Sequence, residues 1–278
     1  MEHPGFIEGH RSRLFSFLHE PESGRPGLAL VLSHPFGEEK LWSHRTFVSL
    51  ARGLAARGHA ALRFDYMGSG DSDGDLRDSS METHMGDLRA AITHLRTRLG
   101  TECRIGVAGL RLGATIAALL ADRSAAESLV DGPLILWDPV TNGDAYMQEL
   151  LRSHLSTQLA VYGRVVEGRE SLKERIARGE SVNLDGYELA APLFNSCAIR
   201  ELLPKSPHAF SGRTLVMQIS APGTERTRAD LAELASGYAR GTLGNCTEDA
   251  FWKEIRPFYG RAENLQRETL AWLESGHD

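Results

Sequence analysis

The chain predicts an α/β protein: a mostly parallel central sheet flanked by helices, with a helical lid insertion late in the sequence. Two observations carry that reading. Between residues 27 and 140, apolar runs ending at Gly or Pro alternate with stretches of helical periodicity. The pattern breaks over residues 141–211 and then resumes to the end. Strands alternating with helices at this spacing call for right-handed crossovers and helices on both faces of the sheet. The expected division is therefore a core formed by 1–140 and 212–278, with 141–211 as a lid or cap over the carboxyl edge of the sheet.

The elements follow in order. "RSRLFSFLHEP" sets Phe15 and Phe17 on one face and Leu14, Ser16 and Leu18 on the other, which reads as a partly exposed antiparallel edge strand. "GLALVLSHPFG" is a continuous apolar run closed by Pro and Gly, a strand buried on both faces and then a loop. "LWSHRTFVSLARGLAARG" places Phe47, Leu50, Ala51 and Leu54 at helical spacing and stops at Gly58. The unit repeats as strand "HAALRFDY", loop "MGSGDSDGD" and helix "METHMGDLRAAITHLRTRLG", and again as "CRIGVAG" and "LGATIAALLADR". "GPLILWDPV" is a fourth apolar strand. The lid carries helical stretches, "DAYMQELLRSHLSTQLAVYGRVVEG" and "LFNSCAIRELL", and no obvious buried strand. "RTLVMQISAPG" restores the sheet, followed by a helix around "RADLAELASGYARG", a short strand near "TLGNCT" and a last helix, "RAENLQRETLAWLESG".

Composition narrows the function classes. A net charge of -6, from 37 acidic and 31 basic residues, implies no basic face for nucleic acid. Three scattered cysteines, Cys103, Cys197 and Cys246, suggest neither a disulfide framework nor a metal ribbon. No apolar run has signal-peptide or membrane-spanning length. The expectation is a cytoplasmic protein with no cofactor, no metal and no membrane span.

Three landmarks now appear in one order: "LVLSHPFG", "LRFDYMGSGDSDGD" and "GLRLG". Together they resemble the oxyanion-loop strand, the Asp-x-x-Gly-x-Gly-x-Ser-like loop and the nucleophile elbow of the α/β-hydrolase fold. More narrowly, "HPFGEEKLW", "GLRLGA" and "LILWDPVTNGDAYMQELL" look like the exosortase A system-associated hydrolase 2 group. That group is named for a genomic association with bacterial surface-protein sorting, and it also tends to place arginine at the elbow. The resemblance implies the fold, and for an active member a serine nucleophile, a histidine base, an orienting acid and two backbone oxyanion donors.

This sequence departs from that set at each slot. Arg111 stands where the serine belongs and has no usable lone pair. The acid slot after "LVMQIS" reads "APGTERTR", without aspartate, leaving Asp138 after the preceding strand as the substitute. The histidine slot, "EDAFWKEIRPFYGRAEN", holds no histidine, and His277 falls in the tail. An ordinary Ser-His-Asp mechanism is therefore not the expectation. What the resemblance leaves is an anion-binding site, with the Phe36 and Leu112 amides as oxyanion donors and Arg111 gripping a carboxylate or phosphate.

Two roles for Arg111 stay open. It binds a ligand, or it is neutralised by Glu38 or Glu39 of "GEEK" and plugs the site. A glutamate left free beside a bound ligand would serve as a general base, which is the best enzymatic mechanism these residues offer. His34 reads as a hydrogen-bonded loop anchor. His208 reads as a solvated loop residue within reach of the pocket, and Asp65 ties down the following turn. Trp252, beside Phe251, walls the pocket or packs in the core. Cys197 and Cys246 read as packing residues.

Two functions from different classes fit. One is a hydrolase-like, acyl-transfer or lyase-type protein with an Arg-centred pocket for an acyl, ester, thioester or carboxylate ligand, working in a biosynthetic or surface-polymer pathway. The other is an inactive pseudohydrolase that binds an acyl ligand or a protein partner. A homodimer or a contact with a carrier protein or partner enzyme is left open, and a serine nucleophile elsewhere, such as Ser196, ranks below both functions.

Overall fold

A computed structural model describes residues 1–197, 203, 207–224, 226–253 and 261–276. Its eight-stranded sheet runs in the order β1-β2-β4-β3-β5-β6-β9-β10. These strands are β1 (Glu2–Glu8), β2 (Arg13–His19), β3 (Leu28–Ser33), β4 (Ala60–Phe64), β5 (Arg104–Leu110), β6 (Leu134–Trp137), β9 (Arg213–Ser220) and β10 (Arg240–Thr247). The first two pairings, β1 with β2 and β2 with β4, are antiparallel, and every later one is parallel. The expected mostly parallel sheet flanked by helices is what the chain forms.

Burial explains why the strands read as they do. Every residue of β3 and β6 is buried, because helices cover both faces. Alternate residues divide between two cores. Ala29 and Val31 join the core under α2 (Met81–Leu99) and α3 (Leu112–Arg123), whereas Leu28, Leu30 and Leu32 join the one under α1 (Glu38–Ala55) and α8 (Glu263–Glu274). Helix α2 begins with a reciprocal Ser80–Thr83 capping box and ends at Gly100, whose φ of 82° suits glycine. Helix α1 starts at Glu38, ahead of the expected "LWSHR", so two acidic side chains sit in its first turn, where the helix dipole favours them.

Three expectations need correction. Strand β2 is internal rather than an edge: the edge is β1, whose Pro4 and Gly5 hid it, the proline being tolerated because the strand is an outer one. The insertion does contain strands, the hairpin β7 (Val182–Leu184) and β8 (Tyr187–Leu189), with Val182, Leu184 and Leu189 buried. Three-residue strands are too short to leave a periodic signal. The "TLGNCT" strand is eight residues long, paired along its whole length with β9. Between β6 and β9 the described insertion also holds α4 (Gly143–Tyr162), α5 (Arg169–Ala177) and α6 (Ala191–Cys197). The expected continuation of the "LFNSCAIRELL" helix past 197, and His277, lie outside the described residues. Helix α7 (Ala229–Gly237) links β9 to β10.

Candidate functional site

The elbow keeps its geometry without its serine. Arg111, between β5 and α3, has φ 52° and ψ -122°, a conformation that costs a side-chain-bearing residue roughly 1–3 kcal/mol. Its amide donates to the Trp137 carbonyl at 3.0 Å. The two flanking glycines are steric requirements. A Cβ on Gly113 would lie 2.3 Å from the Ser33 carbonyl oxygen, and one on Gly109 would lie 2.6 Å from the Ala114 nitrogen. Helix α3 can press this closely on β3 at Gly113, and on β5 at Gly109, only because both positions lack a side chain.

The buried Arg111 guanidinium faces carboxylates from three elements. Nε donates to Glu39 Oε1 on α1 at 3.1 Å, Nη1 to Asp138 Oδ2 after β6 at 3.2 Å, and Nη2 to Glu149 Oε2 on α4 at 2.8 Å. Its Cζ also lies 5.5 Å from the centre of the Tyr146 ring and 5.6 Å from that of Trp252. Each carboxylate has a second partner. Glu39 Oε2 accepts from the Tyr146 hydroxyl at 2.9 Å, Asp138 Oδ1 from Arg228 at 2.9 Å, and Glu149 Oε1 lies 3.0 Å from Lys253 Nζ. Arg228 also pairs with Asp230.

Burial pushes the Glu39 and Asp138 carboxyls above their ordinary values despite the pull of Arg111. Burial also opposes the charge of Glu149, but Arg111 and Lys253 outweigh it and hold that carboxyl low. Burial works against the Arg111 charge too, and Glu39 and Asp138 reverse the balance, holding the guanidinium above its ordinary value. Arg111 is thus a permanent cation at the centre of a mutually neutralising network.

Of the sequence-predicted residues, Arg111, Glu39, Asp138 and Trp252 come together. Glu38 accepts from Trp42 Nε1 on its own helix at 3.0 Å. Phe36 and Leu112 are both buried and line a single cavity of about 10 Å³, together with His34 and Tyr187. His34 is an anchor. Burial and the charge of Lys40 push its pKa down to about 3, its Nδ1 contacts the Pro35 carbonyl at 2.7 Å, and its Nε2 accepts from the Tyr66 amide at 3.4 Å. His208 is a correction. It bonds Asp122, at the far end of α3 from the elbow, at 2.5 Å and stacks on Tyr238, with a buried side chain rather than a solvated one.

Ser196 Oγ is occupied by the Met81 amide and the Leu193 carbonyl. Burial raises the Cys197 and Cys246 thiols to about 12, which leaves them unreactive. Sequence reasoning missed Tyr146, Glu149, Arg228 and Lys253. The last two lie in the stretches that lack the acid and the histidine, so cations there were the available signal. Among the described residues, no group of three or more His, Cys, Asp and Glu could hold a metal, and no helix is long and apolar enough to cross a membrane.

Sheet order, elbow and oxyanion loop define the class: an α/β-hydrolase fold with an extra helical insertion and a buried, ion-paired arginine in place of the catalytic serine. The chain belongs to the serine aminopeptidase S33 family, whose model matches residues 24–184. Among solved structures, Est1E from Butyrivibrio proteoclasticus, bound to ferulic acid, superposes with a TM-score of 0.66 at 17% identity, over 98% of both chains. The enol-lactonase from Burkholderia xenovorans LB400 gives 0.63 at 18% identity, over 97% of this chain and all of that one. Proline iminopeptidase from Mycobacterium smegmatis gives 0.58 at 14% identity, over 98% of both. At these identities the likeness is one of fold. No curated protein sequence matches the chain.

Proposed function

We propose that this protein is a pseudohydrolase, an α/β-hydrolase fold that turns over no substrate at its elbow and acts by binding. The observation that carries this reading is the set of three carboxylates on the Arg111 guanidinium. An incoming carboxylate would have to displace one of them and leave it uncompensated in a buried site. Glu39, Asp138 and Glu149 each have both oxygens engaged, so among the described residues no carboxylate beside the arginine is left free as a general base. The cavity at the oxyanion positions, about 10 Å³, has room for about one water.

In this reading residues 141–211 act as a lid fastened shut, because Tyr146 and Glu149 on α4 reach the elbow network. The fold's likeness to an esterase bound to ferulic acid and to an enol-lactonase supports descent from ester-handling enzymes. The elbow arginine supports placing the chain with the exosortase A system-associated hydrolase 2 group, in a bacterial cytoplasm. A protein contact is supported by Leu159, Val161, Tyr162, Val165 and Val166, all exposed at the tip of α4. Buried Gln158 holds that tip in shape, accepting from the Val166 and Glu167 amides at 2.7 and 2.9 Å.

A serine-directed fluorophosphonate probe and a panel of p-nitrophenyl esters test the reading. The expected result is no stoichiometric labelling and no hydrolysis above the buffer rate, and saturable turnover would overturn it. One feature favours a second reading, an Arg-centred receptor for an acyl or carboxylate ligand: the Phe36 and Leu112 amides meet no acceptor among the described residues. Acetate or butyrate binding that is lost in Arg111→Met would move the balance to it.

A further inference from the structure

A second cleft shares Tyr187 and Ser69 with the oxyanion cavity but no residue with the Arg111 network, and it carries a cation, Arg63, on which Asp65 and Glu2 act only from beyond salt-bridge distance. Strands β2 and β4 pair Phe17 with Arg63 and His19 with Ala61. Ala61 packs in the core beneath α1, so Arg63, two residues along, points to the same side. There the cleft opens, about 320 Å³ in volume and of a size that takes a small ligand. Phe15, Phe17 and Tyr187 line it with Leu41, which is 55% exposed at the rim.

The polar lining is unevenly matched. Lys40 is occupied by Asp65 at 2.6 Å and by Ser69 at 3.3 Å, which neutralises one of the two lining aspartates, the other being Asp71. Arg63 is the exception. Its Nε donates to His19 Nε2 at 3.1 Å, and its Cζ stands 5.1 Å from the centre of the Phe17 ring. His19 is a neutral acceptor, because burial and Arg63 push its pKa down to about 4. Among the described residues no carboxylate lies within salt-bridge distance of Arg63, and its two terminal nitrogens have no hydrogen-bond acceptor. Burial, with the charges of Arg63 and Lys40, likewise holds His44 across the cleft below the usual histidine range. A half-buried guanidinium with a free terminal fork is matched by an oxyanion, and the aromatic walls by a flat ring.

We propose that this cleft binds a small aromatic oxyanion, its carboxylate or phosphate on the terminal nitrogens of Arg63 and its ring against Phe15, Phe17 and Tyr187. The cleft adjoins the oxyanion cavity at Tyr187 but uses no residue of the Arg111 network, so the proposal holds whether or not Arg111 ever meets a ligand. Calorimetric titration with benzoate, phenyl phosphate, inorganic phosphate and benzamide tests it, and the two aromatic anions separate a carboxylate from a phosphate ligand. At least one aromatic anion should bind at least about tenfold more tightly than neutral benzamide. Arg63→Gln should remove that advantage, and Leu41→Trp, which fills the cleft from its rim, should weaken both classes.

The proposal is overturned if benzamide binds as tightly as benzoate and phenyl phosphate, or if neither aromatic anion binds. It is equally overturned if inorganic phosphate matches phenyl phosphate, or if both variants leave affinity unchanged. Should Arg63→Gln fail to fold, the benzamide comparison and Leu41→Trp still decide the question.

Discussion

Replacing Arg111 with methionine keeps a long apolar side chain at the elbow and deletes its charge. Glu39 then keeps only Tyr146, Asp138 keeps Arg228, and Glu149 keeps Lys253. Removing one partner of a buried ion pair costs about 3–5 kcal/mol. Glu149, at 37% side-chain exposure, adds little to that figure because solvent screens it. At roughly 2–4 °C per kcal/mol for a chain approaching this size, the midpoint should fall by about 10 °C.

The pH dependence has a definite sign. Glu39 and Asp138 already have raised values in the folded protein, so their contribution is most favourable at low pH and is lost as pH rises through those values. Deleting Arg111 removes the pull that lowers them and raises them further. The stability gap between wild type and Arg111→Met should therefore be widest near pH 8 and narrow toward pH 5, in melts followed by circular dichroism. A variant within about 2 °C of wild type, or a gap that widens in acid, would refute the account of Arg111 as the charge that holds this network together.

Arg111→Ser should create no hydrolase. Residues 248–264 hold no histidine to act as base, so ester turnover and fluorophosphonate labelling should stay at background, and strong labelling would refute that reasoning. Gly113→Ala places a methyl group against the Ser33 and His34 carbonyls and should cost about 3 kcal/mol, read as a lower melting midpoint or loss of soluble protein. His84 is buried, packs on Tyr66 and is held down to about 4 by burial. Its folded value is depressed, so the stability it confers is present above pH 6.5 and lost as pH falls toward 4, by about 3 kcal/mol. His84→Leu should flatten the acid limb of the stability curve by that amount, and an unchanged slope would count against a neutral buried ring. If the α4 tip is a self-association surface, Leu159→Asp with Val166→Asp should convert a dimer to a monomer by light scattering, and a wild type monomeric at high concentration removes that occupant.

The sheet was legible because its strands are continuous apolar runs punctuated by Gly and Pro. Helix α3 occupies residues 112–123, as "LGATIAALLADR" indicates. Strand β1 was hidden by its Pro and Gly, and the β7–β8 hairpin by its length. At the site, the presence of Arg111, Glu39 and Asp138 could be read, but which glutamate would turn inward could not. Glu38 and Glu39 are adjacent on a helix and point about 100° apart, so only the packing of α1 decides that Glu39 meets the arginine. Glu149 was unreadable for a different reason: it arrives from an insertion whose docking onto the core leaves no local pattern.

The strained elbow survives without the serine it ordinarily presents. Its conformation costs roughly 1–3 kcal/mol and brings no nucleophile. The structural returns are nevertheless specific. The Arg111 amide ties the elbow to the end of β6, Gly113 lets α3 close on β3, and Gly109 lets it close on β5. The same turn aims a side chain at the point where α1, β6 and α4 converge. In a serine enzyme that convergence gathers catalytic groups around the nucleophile. Here it gathers three carboxylates around a cation, so the same geometry fastens α4 to α1 and to the end of β6. Fold and chemistry are thereby separable at this turn: its packing contacts use a backbone amide and two glycines, and none of them needs a serine side chain.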